Sequence, residues 1–509
     1  MQRLAGVTRG RIVVLGRSGR LLKKERRLNL FFPVAVHEWG VHENSLNNIA
    51  RAIGERVFSV SQGGVQVPPP QPERGFVRRE LRGFADQLSR HVGKVVPMST
   101  EEFVDTYNGK KRRLYEMAAA SLELVPLQQK DAFITAFIKD EKTNLTLKQD
   151  PCPRIIQPRS PRFNIEIGKY LKPMEKAVFR GIAAIFQDVT VFKGYNAQER
   201  GTLLFRKWKR FIHPVAIMLD ASRMDQHCSE DIIKWEHSLW ERLCPESRLK
   251  TLNRMRYVNK CYARAPEGGY KYTLPGRRMS GDMDTAMGNC TTMCAMTWSF
   301  MRSIGVAKYD YCNDGDDGVL IVEEEHLRLV LDTFQSYFLK HGFTMKLEGI
   351  SRTMEGIEFC QAHPIYDGEH WKFVRDPRIC LGKDCLAIGR FNTADSLEEQ
   401  RNAVGWCGAS LAGDMPIFCA LYKQLICGNR PMLTYDSGMQ FLASRMEPVF
   451  SQPTDEARVS FYKAYGILPD TQISIETSLL TTPPRKGPPV LETATTIIPE
   501  YHYYTTTHF

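Results

Sequence analysis

Two clusters of carboxylates in the 509-residue chain carry a spacing that could do chemistry. Asp220 directly follows the apolar run Val215–Leu219, and Asp225 lies five residues further on. The second cluster, Asn313-Asp314-Gly315-Asp316-Asp317-Gly318, has the composition of a hairpin tip. If the strands carrying these clusters are neighbours in one sheet, Asp220 and Asp316 face each other across its edge. Apposed carboxylates repel unless a cation lies between them, so the geometry asks for a divalent metal. Hard oxygen ligands, few per ion, suit Mg²⁺ or Mn²⁺, whose other positions take water and substrate phosphate. Two such ions about 3.5–4 Å apart can activate a hydroxyl and stabilise a leaving pyrophosphate. Asp220, Asp316 and Asp317 are therefore the candidate catalytic metal ligands. Adjacent strand residues point to opposite faces, so Asp316 and Asp317 need not both bind directly. An acidic Gly turn is also a common plain turn, and the two clusters alone leave both readings open.

The elements that must position these acids can be read from hydrophobic periodicity. Val215–Leu219 has the continuous apolar character of a buried strand. Ser229-Glu230-Asp231 is a helix cap, followed by Ile232, Trp235, Leu239 and Leu243 at helical spacing. Tyr309 to Val322 reads as strand, turn, strand, and Leu327, Val330, Leu331, Phe334 and Phe338 mark a second amphipathic helix. This is a split βαβ pattern, a small sheet backed by helices, and the fold class is α+β. Ala132–Ile138 is a further strand candidate, and residues 400–470 read as mainly helical. The stretch Gln62-Gly63-Gly64 and then Pro68 to Pro72 reads as a linker or long surface loop.

A third element joins the acids. Ser280-Gly281-Asp282 leads into Thr285 and Asn289, which project from one helical face at i and i+4. A helix opening on a Ser-Gly loop can offer donors to a phosphate or template backbone, and Asn289 can hydrogen-bond a sugar hydroxyl.

Other chemistries fit poorly. An EF-hand with Gly315 or Gly318 at its invariant position puts Cys312 or Gly315 where a polar ligand belongs. No P-loop pattern occurs. The 13 cysteines form no C-x-x-C pair and read as reduced, mostly buried residues of an intracellular protein, not as a zinc site. Hydrophobic residues at 43% and charged residues at 25% are an ordinary globular balance, which excludes a disordered or fibrous chain. No run approaches the roughly 20 apolar residues of a membrane span. A net charge of +12 favours polyanionic partners. Residues 1–27 hold nine basic side chains against Glu25, so +8 of that surplus sits in one arm. The arm could grip RNA phosphates or acidic lipid, or be a solvated terminus.

The order D-x-x-x-x-D, S-G-x-x-x-T-x-x-x-N, G-D-D, at intervals of about sixty and thirty-five residues, resembles the viral RNA-dependent RNA polymerases. It is most similar to those of the tombusvirus and carmovirus group of plus-strand RNA viruses, over residues 35–470. The resemblance implies a right-hand fold and template-directed RNA synthesis from ribonucleoside triphosphates with two Mg²⁺ or Mn²⁺ ions. It implies fingers over 28–210 and 245–275, palm over 211–244 and 276–375, and thumb over 376–480, between the arm 1–27 and a disordered Thr/Pro-rich tail 481–509. Lys139, Lys142, Arg154 and Arg159 look like the basic fingers motif lining the nucleotide's approach, with few strong acids expected to pair with them. Asp225, Ser280 and Asn289, with Thr285 beside them, look like the network that reads the ribose 2′-hydroxyl. Lys346, in Gly342–Lys346, looks like the residue that protonates pyrophosphate. Gly281, Phe359, Cys360 and Gln361 are similar to positions contacting template and nascent RNA, and Lys110, Lys111, Arg112 and Arg113 to a template contact. Relatives often carry an N-terminal membrane-targeting region; this sequence opens on the basic arm instead. The expected location is host cytoplasm, with recruitment to membrane-associated replication complexes through a membrane-targeting viral replication protein. A reverse transcriptase and a non-catalytic RNA-binding replication factor are the alternatives. The polar set Asp225, Ser280 and Asn289 argues against the first, and the carboxylates against the second.

Overall fold

Val215 to Leu219 is buried on both faces, the condition under which a strand needs no polar side chain until its end. A computed structural model of the chain describes residues 11–15, 26–33, 36–389, 393–430, 439 and 443–484. In it this run is the heart of β1 (Pro214–Ala221). Tyr309–Asp314 and Asp317–Glu323 form the hairpin β2–β3, and Met345–Ser351 forms β4. The sheet order is β2-β3-β1-β4, with every neighbouring pair antiparallel.

Strand alternation assigns the two faces. Ile217 and Leu219 of β1, with Leu320 and Val322 of β3, enter the larger core. There they meet three helices, α1 (Glu230–Leu243), α2 (Thr285–Ser303) and α3 (Leu327–Lys340). The 26-residue helix Pro161–Phe186 joins the same core. Ser229 caps α1 as read from the sequence, its hydroxyl accepting from Ile232 N. Ala216 and Met218, with Val319 and Ile321, face a second core built with the helices Ala394–Ala412, Phe418–Leu425 and Asp455–Tyr465. The small sheet backed by helices is as expected from the periodicity, within a mixed helix-and-sheet chain.

A second sheet of five strands runs in the order Arg11–Leu15, Gly268–Pro275, Val258–Ala265, Ile134–Ile138, Ile155–Ile156. It unites segments more than a hundred residues apart around their own core, including Ile134, Ala136, Cys261, Ala263 and Tyr272. All 13 cysteines are free, and ten are buried.

Three expectations need correction. The arm 1–27 is not simply a solvated terminus: Arg11–Leu15 pairs along Gly269–Thr273 as an edge strand. Arg26 donates to the carbonyls of His42 at 2.6 Å and Ile138 at 2.6 Å, so it anchors the chain. Most of the arm's other basic residues, and tail residues 485–509, lie outside the described residues. The stretch read as a linker holds a hairpin, Val60–Gln62 with Val65–Val67, turning through Gly63 and Gly64 at φ +58° and +80°. Its Pro70 and Pro72 then pack on Gly342, just before β4.

The third correction concerns Phe359. Phe359 and Ala362 exchange backbone hydrogen bonds of 2.9 and 3.2 Å around Cys360 and Gln361, both at positive φ. The tight turn sends the Phe359 ring inward, 3% exposed, against Phe192 and Phe373 at centroid distances of 5.7 and 6.0 Å. A direct RNA contact by this ring is thereby excluded, whereas Gln361 is exposed. Phe359→Ala should cost about 3–5 kcal/mol of stability, and Gln361→Ala less than about 0.5 kcal/mol. Denaturant unfolding of the two variants checks this; equal losses would contradict the core placement.

Candidate active site

Where β1 and β3 reach the rim of the sheet, their acids meet. Asp317 is the register partner of Asp220, and Lys346 of β4 is the partner of Asp220 on its other side. Directly opposed residues of an antiparallel pair project on one face with Cβ atoms about 5 Å apart. Asp220 and Asp317 therefore confront each other beside the second core, with Lys346 flanking. The sequence reading opposed Asp220 to Asp316; the register gives that place to Asp317. Asp316 occupies the turn, its carbonyl accepting from Ala221 N at 3.1 Å.

The turn is built to hold this crowding. Gly315 takes φ +89°, a conformation that L side chains rarely adopt. Asn313 clamps the loop, donating to the carbonyls of Gly315 at 2.9 Å and Asp317 at 3.2 Å and accepting from Gly315 N at 3.2 Å. Asp314 is drawn aside by Lys193 and by Arg200, the latter at 2.6 Å, and these cations hold its carboxyl below the usual range despite burial.

The remaining acids lack such compensation. Burial and then the Asp316 charge raise the proton affinity of Asp220, with Lys346 and Lys148 opposing. Asp317 is pushed up to about 7 by burial and by the charges of Asp316, Asp220 and Glu348. Glu348 is raised too, by burial and then by Asp220. Carboxylates that resist ionising together form a site short of positive charge, which fits a divalent cation. Among the described residues no three His, Cys, Asp or Glu side chains are gathered into a closed metal cage.

Behind the acids, the Asp225 and Asn289 side chains come together. Asn289 Nδ2 donates to Asp225 Oδ1 at 3.1 Å, and burial raises the proton affinity of this carboxyl. Ser280 does not join them: its hydroxyl donates to Ile155 O at 3.3 Å and accepts from Gln157 N at 3.1 Å. Thr285 turns its hydroxyl back to the carbonyls of Met279 and Asp282, both at 3.0 Å. Gly281 lies so close to Pro158 that a Cβ would stand 2.6 Å from its Cα. The Ser-Gly loop is thus fastened to the 155–159 segment.

The basic residues divide. Lys139 and Arg154 converge on Glu141 at 2.8 and 3.2 Å, both partly exposed. Lys142 donates to Lys383 O at 2.7 Å. Arg159 is a strut, 1% exposed in its side chain, holding Asp282 at 2.5 Å, Asn259 at 2.6 Å and Ala132 O at 2.7 Å. The expectation that few acids would pair with these cations therefore fails at Glu141 and Asp282. Lys110–Arg113 open the helix Gly109–Leu124, where Arg112 pairs with Asp105 and Glu116 and Lys111 lies over the Tyr107 ring at 4.7 Å. Lys110 and Arg113 are exposed. Sequence reasoning missed Glu348, the extra residue of a β-bulge between Leu347 and Gly349. The glycine inside a strand was the available signal. It also missed Arg278 and Glu236, a buried pair behind Asn289.

Comparison with known proteins gives the family. Residues 14–484 match the family model described as viral RNA dependent RNA polymerase. The chain belongs to that family. It is 39% identical over 449 residues to an RNA-directed RNA polymerase of Melon necrotic spot virus, covering 86% of this chain and 56% of the relative. Similarity to the corresponding protein of Turnip crinkle virus is 38% over 452 residues, covering 86% and 57%. For Tobacco necrosis virus strain A it is 37% over 462 residues, covering 89% and 64%. The chain thus spans about half to two-thirds of the length of these curated relatives. The resemblance drawn from the motifs is borne out.

The crowded acids carry a stability consequence. Asp317 binds its proton more tightly in the fold than in an unfolded chain, where the value is about 3.9. Its contribution to stability therefore falls as pH rises from about 4 to about 7 and stays low above that. In chelator at pH 8, Asp317→Asn should stabilise the metal-free protein by about 1–2 kcal/mol, and at pH 4 the gain should vanish. Melting curves across pH test this; a destabilised variant at pH 8 would mean the carboxylate is already compensated.

Proposed function

We propose that this chain is the catalytic part of an RNA-directed RNA polymerase that copies a plus-strand RNA virus genome. The observation that carries the reading is the uncompensated Asp220–Asp317 pair with Asp316 at the adjoining turn. In this reading a 3′-hydroxyl of the growing RNA attacks the α-phosphate of a ribonucleoside triphosphate, and pyrophosphate leaves. Asp220 and Asp316, with Asp317 beside them, would hold two Mg²⁺ or Mn²⁺ ions, which supply charge stabilisation at the attacking and leaving oxygens. Lys346, level with Asp220 on β4, would give a proton to the departing pyrophosphate. Lys139 and Arg154, partly exposed, would meet the triphosphate, with Glu141 keeping them in place until it arrives. Asp225 and Asn289 would read the ribose 2′-hydroxyl. The Ser280–Gly281 loop, with no side chain at Gly281, would let template backbone approach closely.

The fold reading is a right hand: fingers from 28–210 and 245–275, palm from 211–244 and 276–375, thumb from 376–480. The two finger segments share the five-stranded sheet, and the palm segments share the four-stranded one, which supports that division. The proposed partners are template and nascent RNA, ribonucleoside triphosphates and a membrane-targeting viral replication protein in the host cytoplasm. Among the described residues no helix is long and apolar enough to cross a membrane.

Nucleotide incorporation by the purified chain on an RNA template with Mg²⁺ or Mn²⁺ tests the proposal. Asp316→Asn should lower incorporation by about 100-fold or more, because charge stabilisation of the transition state is lost. RNA affinity should stay within about twofold, since phosphate contacts elsewhere persist. Undiminished synthesis would remove Asp316 from the chemistry. Asn289→Ala addresses the reverse transcriptase alternative. A polar site built for a hydroxyl rejects a sugar that lacks it, so the preference for ATP over dATP should narrow about 5- to 10-fold, mainly through slower ATP use. A variant slowed equally on both substrates would make Asn289 a packing residue only.

A further inference from the structure

Asn289 has an amide whose two ends are opposite in hydrogen-bonding character, and only one end suits Asp225. An ionised carboxylate accepts and cannot donate, so the amide must present nitrogen to it. A second restraint of the same sense lies on the far side of the side chain. Arg278 Nε donates to Asn289 Oδ1 at 3.1 Å. A guanidinium is donor only, so the atom it meets must be the oxygen, and Nδ2 is left facing Asp225.

Arg278 is itself held without slack. Its side chain is 1% exposed and that of Glu236, on α1, is fully buried. Arg278 Nη2 bonds both carboxylate oxygens of Glu236, one at 2.5 Å. Thr292, one turn after Asn289 on α2, donates to the same carboxylate at 2.6 Å. The guanidinium lies flat across Gly288, where any Cβ would collide with it. Among the described residues, Asp225 Oδ2 accepts no hydrogen bond, so it stays open to an incoming hydroxyl. Because Ser280 is tied to the 155–157 backbone, the Asp225–Asn289 pair works without a third partner in this structure.

We infer that Arg278, seated on Glu236 across Gly288, is a positioning residue for sugar selection that holds the Asn289 amide against Asp225 from its far side. This rests on the reading of Asp225 and Asn289 as the ribose sensor. Without the Arg278 donor the amide is held from one side only, by Asp225, and its side chain can swing about that single bond. The pair then loses its fixed geometry for a 2′-hydroxyl. A deoxyribonucleotide, which makes no such contact, is indifferent to the change.

The test measures kcat and KM for ATP and dATP with four variants of the full chain. Arg278→Lys keeps the charge beside Glu236 but gives up the fork that serves Glu236 and Asn289 together. Gly288→Ala keeps every polar group and favours the helix, yet pushes the guanidinium off its seat. Both should narrow the ATP-to-dATP ratio of kcat/KM about fivefold or more, through ATP alone, as loss of one hydrogen bond to a charged group would. Arg458→Lys is the control: its guanidinium pairs with buried Glu476 at 2.9 Å, without contact to Asn289 or Arg278, and should leave the ratio unchanged. Asn289→Ala calibrates the sensor. If Asn289→Ala narrows the ratio while Arg278→Lys and Gly288→Ala leave it as in wild type, Arg278 has no such role. A narrowed ratio in Arg458→Lys would likewise overturn the proposal, because any disturbance of the buried charges would then suffice. An unchanged ratio in Asn289→Ala would remove the sensor itself. Should Arg278→Lys fail to fold, Gly288→Ala decides alone.

Discussion

Electrostatic repulsion among Asp220, Asp316 and Asp317 is the constraint around which the central part of this protein is organised. Like charges directly opposed across strands destabilise a sheet, and here two stand in register while a third occupies the adjoining turn. The structure accommodates them by burying the rest of both strands in two separate cores. The alternation that sends Ile217 and Leu219 to one core and Ala216 and Met218 to the other leaves Asp220 no choice of face. A slip of one residue would exchange the two apolar sets between cores packed for the other, so the packing that stabilises the sheet also enforces the unfavourable carboxylate contact. Stability and site geometry are in this sense one property of the β1–β3 register.

Acids that sit elsewhere in the same region show what is withheld from these. Asp314, two residues from Asp316, is matched by Lys193 and Arg200. Asp310 on β2 is matched by the fully buried Lys207 at 2.8 Å. Around the Ser-Gly loop, Asp282, Asp284 and Glu236 meet Arg159, Arg256 and Arg278, three buried acids against three buried cations. Buried ion pairs contribute little net stability, but breaking one leaves a charge stranded, so they define geometry sharply. The molecule therefore neutralises its scaffold acids side by side and leaves the rim acids dependent on something that arrives from outside.

Much of this was legible in the sequence, and for identifiable reasons. Strand β1, the cap at Ser229, the hairpin and α3 follow from periodicities that burial imposes locally. Asp220 and the Asp316–Asp317 turn were visible because a carboxylate at the end of an apolar strand has no packing explanation. The pairing of Asp220 with Asp317 in place of Asp316 depends on register, which no single strand encodes. Phe359 was misplaced because a turn with two non-glycine residues at positive φ has no compositional mark. Arg159 read as a cation on the nucleotide's path and Arg278 drew no reading, since their acidic partners lie 123 and 42 residues away. Long-range charge pairing is the part of this fold that one-dimensional patterns do not carry.

The same long-range pairing explains how a site assembled from distant segments stays rigid. Arg159 joins the 155–159 segment to Asp282, while Pro158 abuts Gly281 too closely for any side chain to intervene. The start of α2 is thus clamped to the five-stranded sheet on one side. On the other, Arg278 binds Glu236 of α1, which follows β1 in the chain, and so ties α2 to the strand bearing Asp220. Asn289 sits between these attachments, and its distance from Asp225 is set by both at once. A shift of the five-stranded sheet would reach the Asp225–Asn289 pair before it reached the carboxylates, because the latter are fixed within the four-stranded sheet. The geometry of the rim is therefore a local property of four strands, whereas the geometry of the pair behind it is a property of the whole assembly.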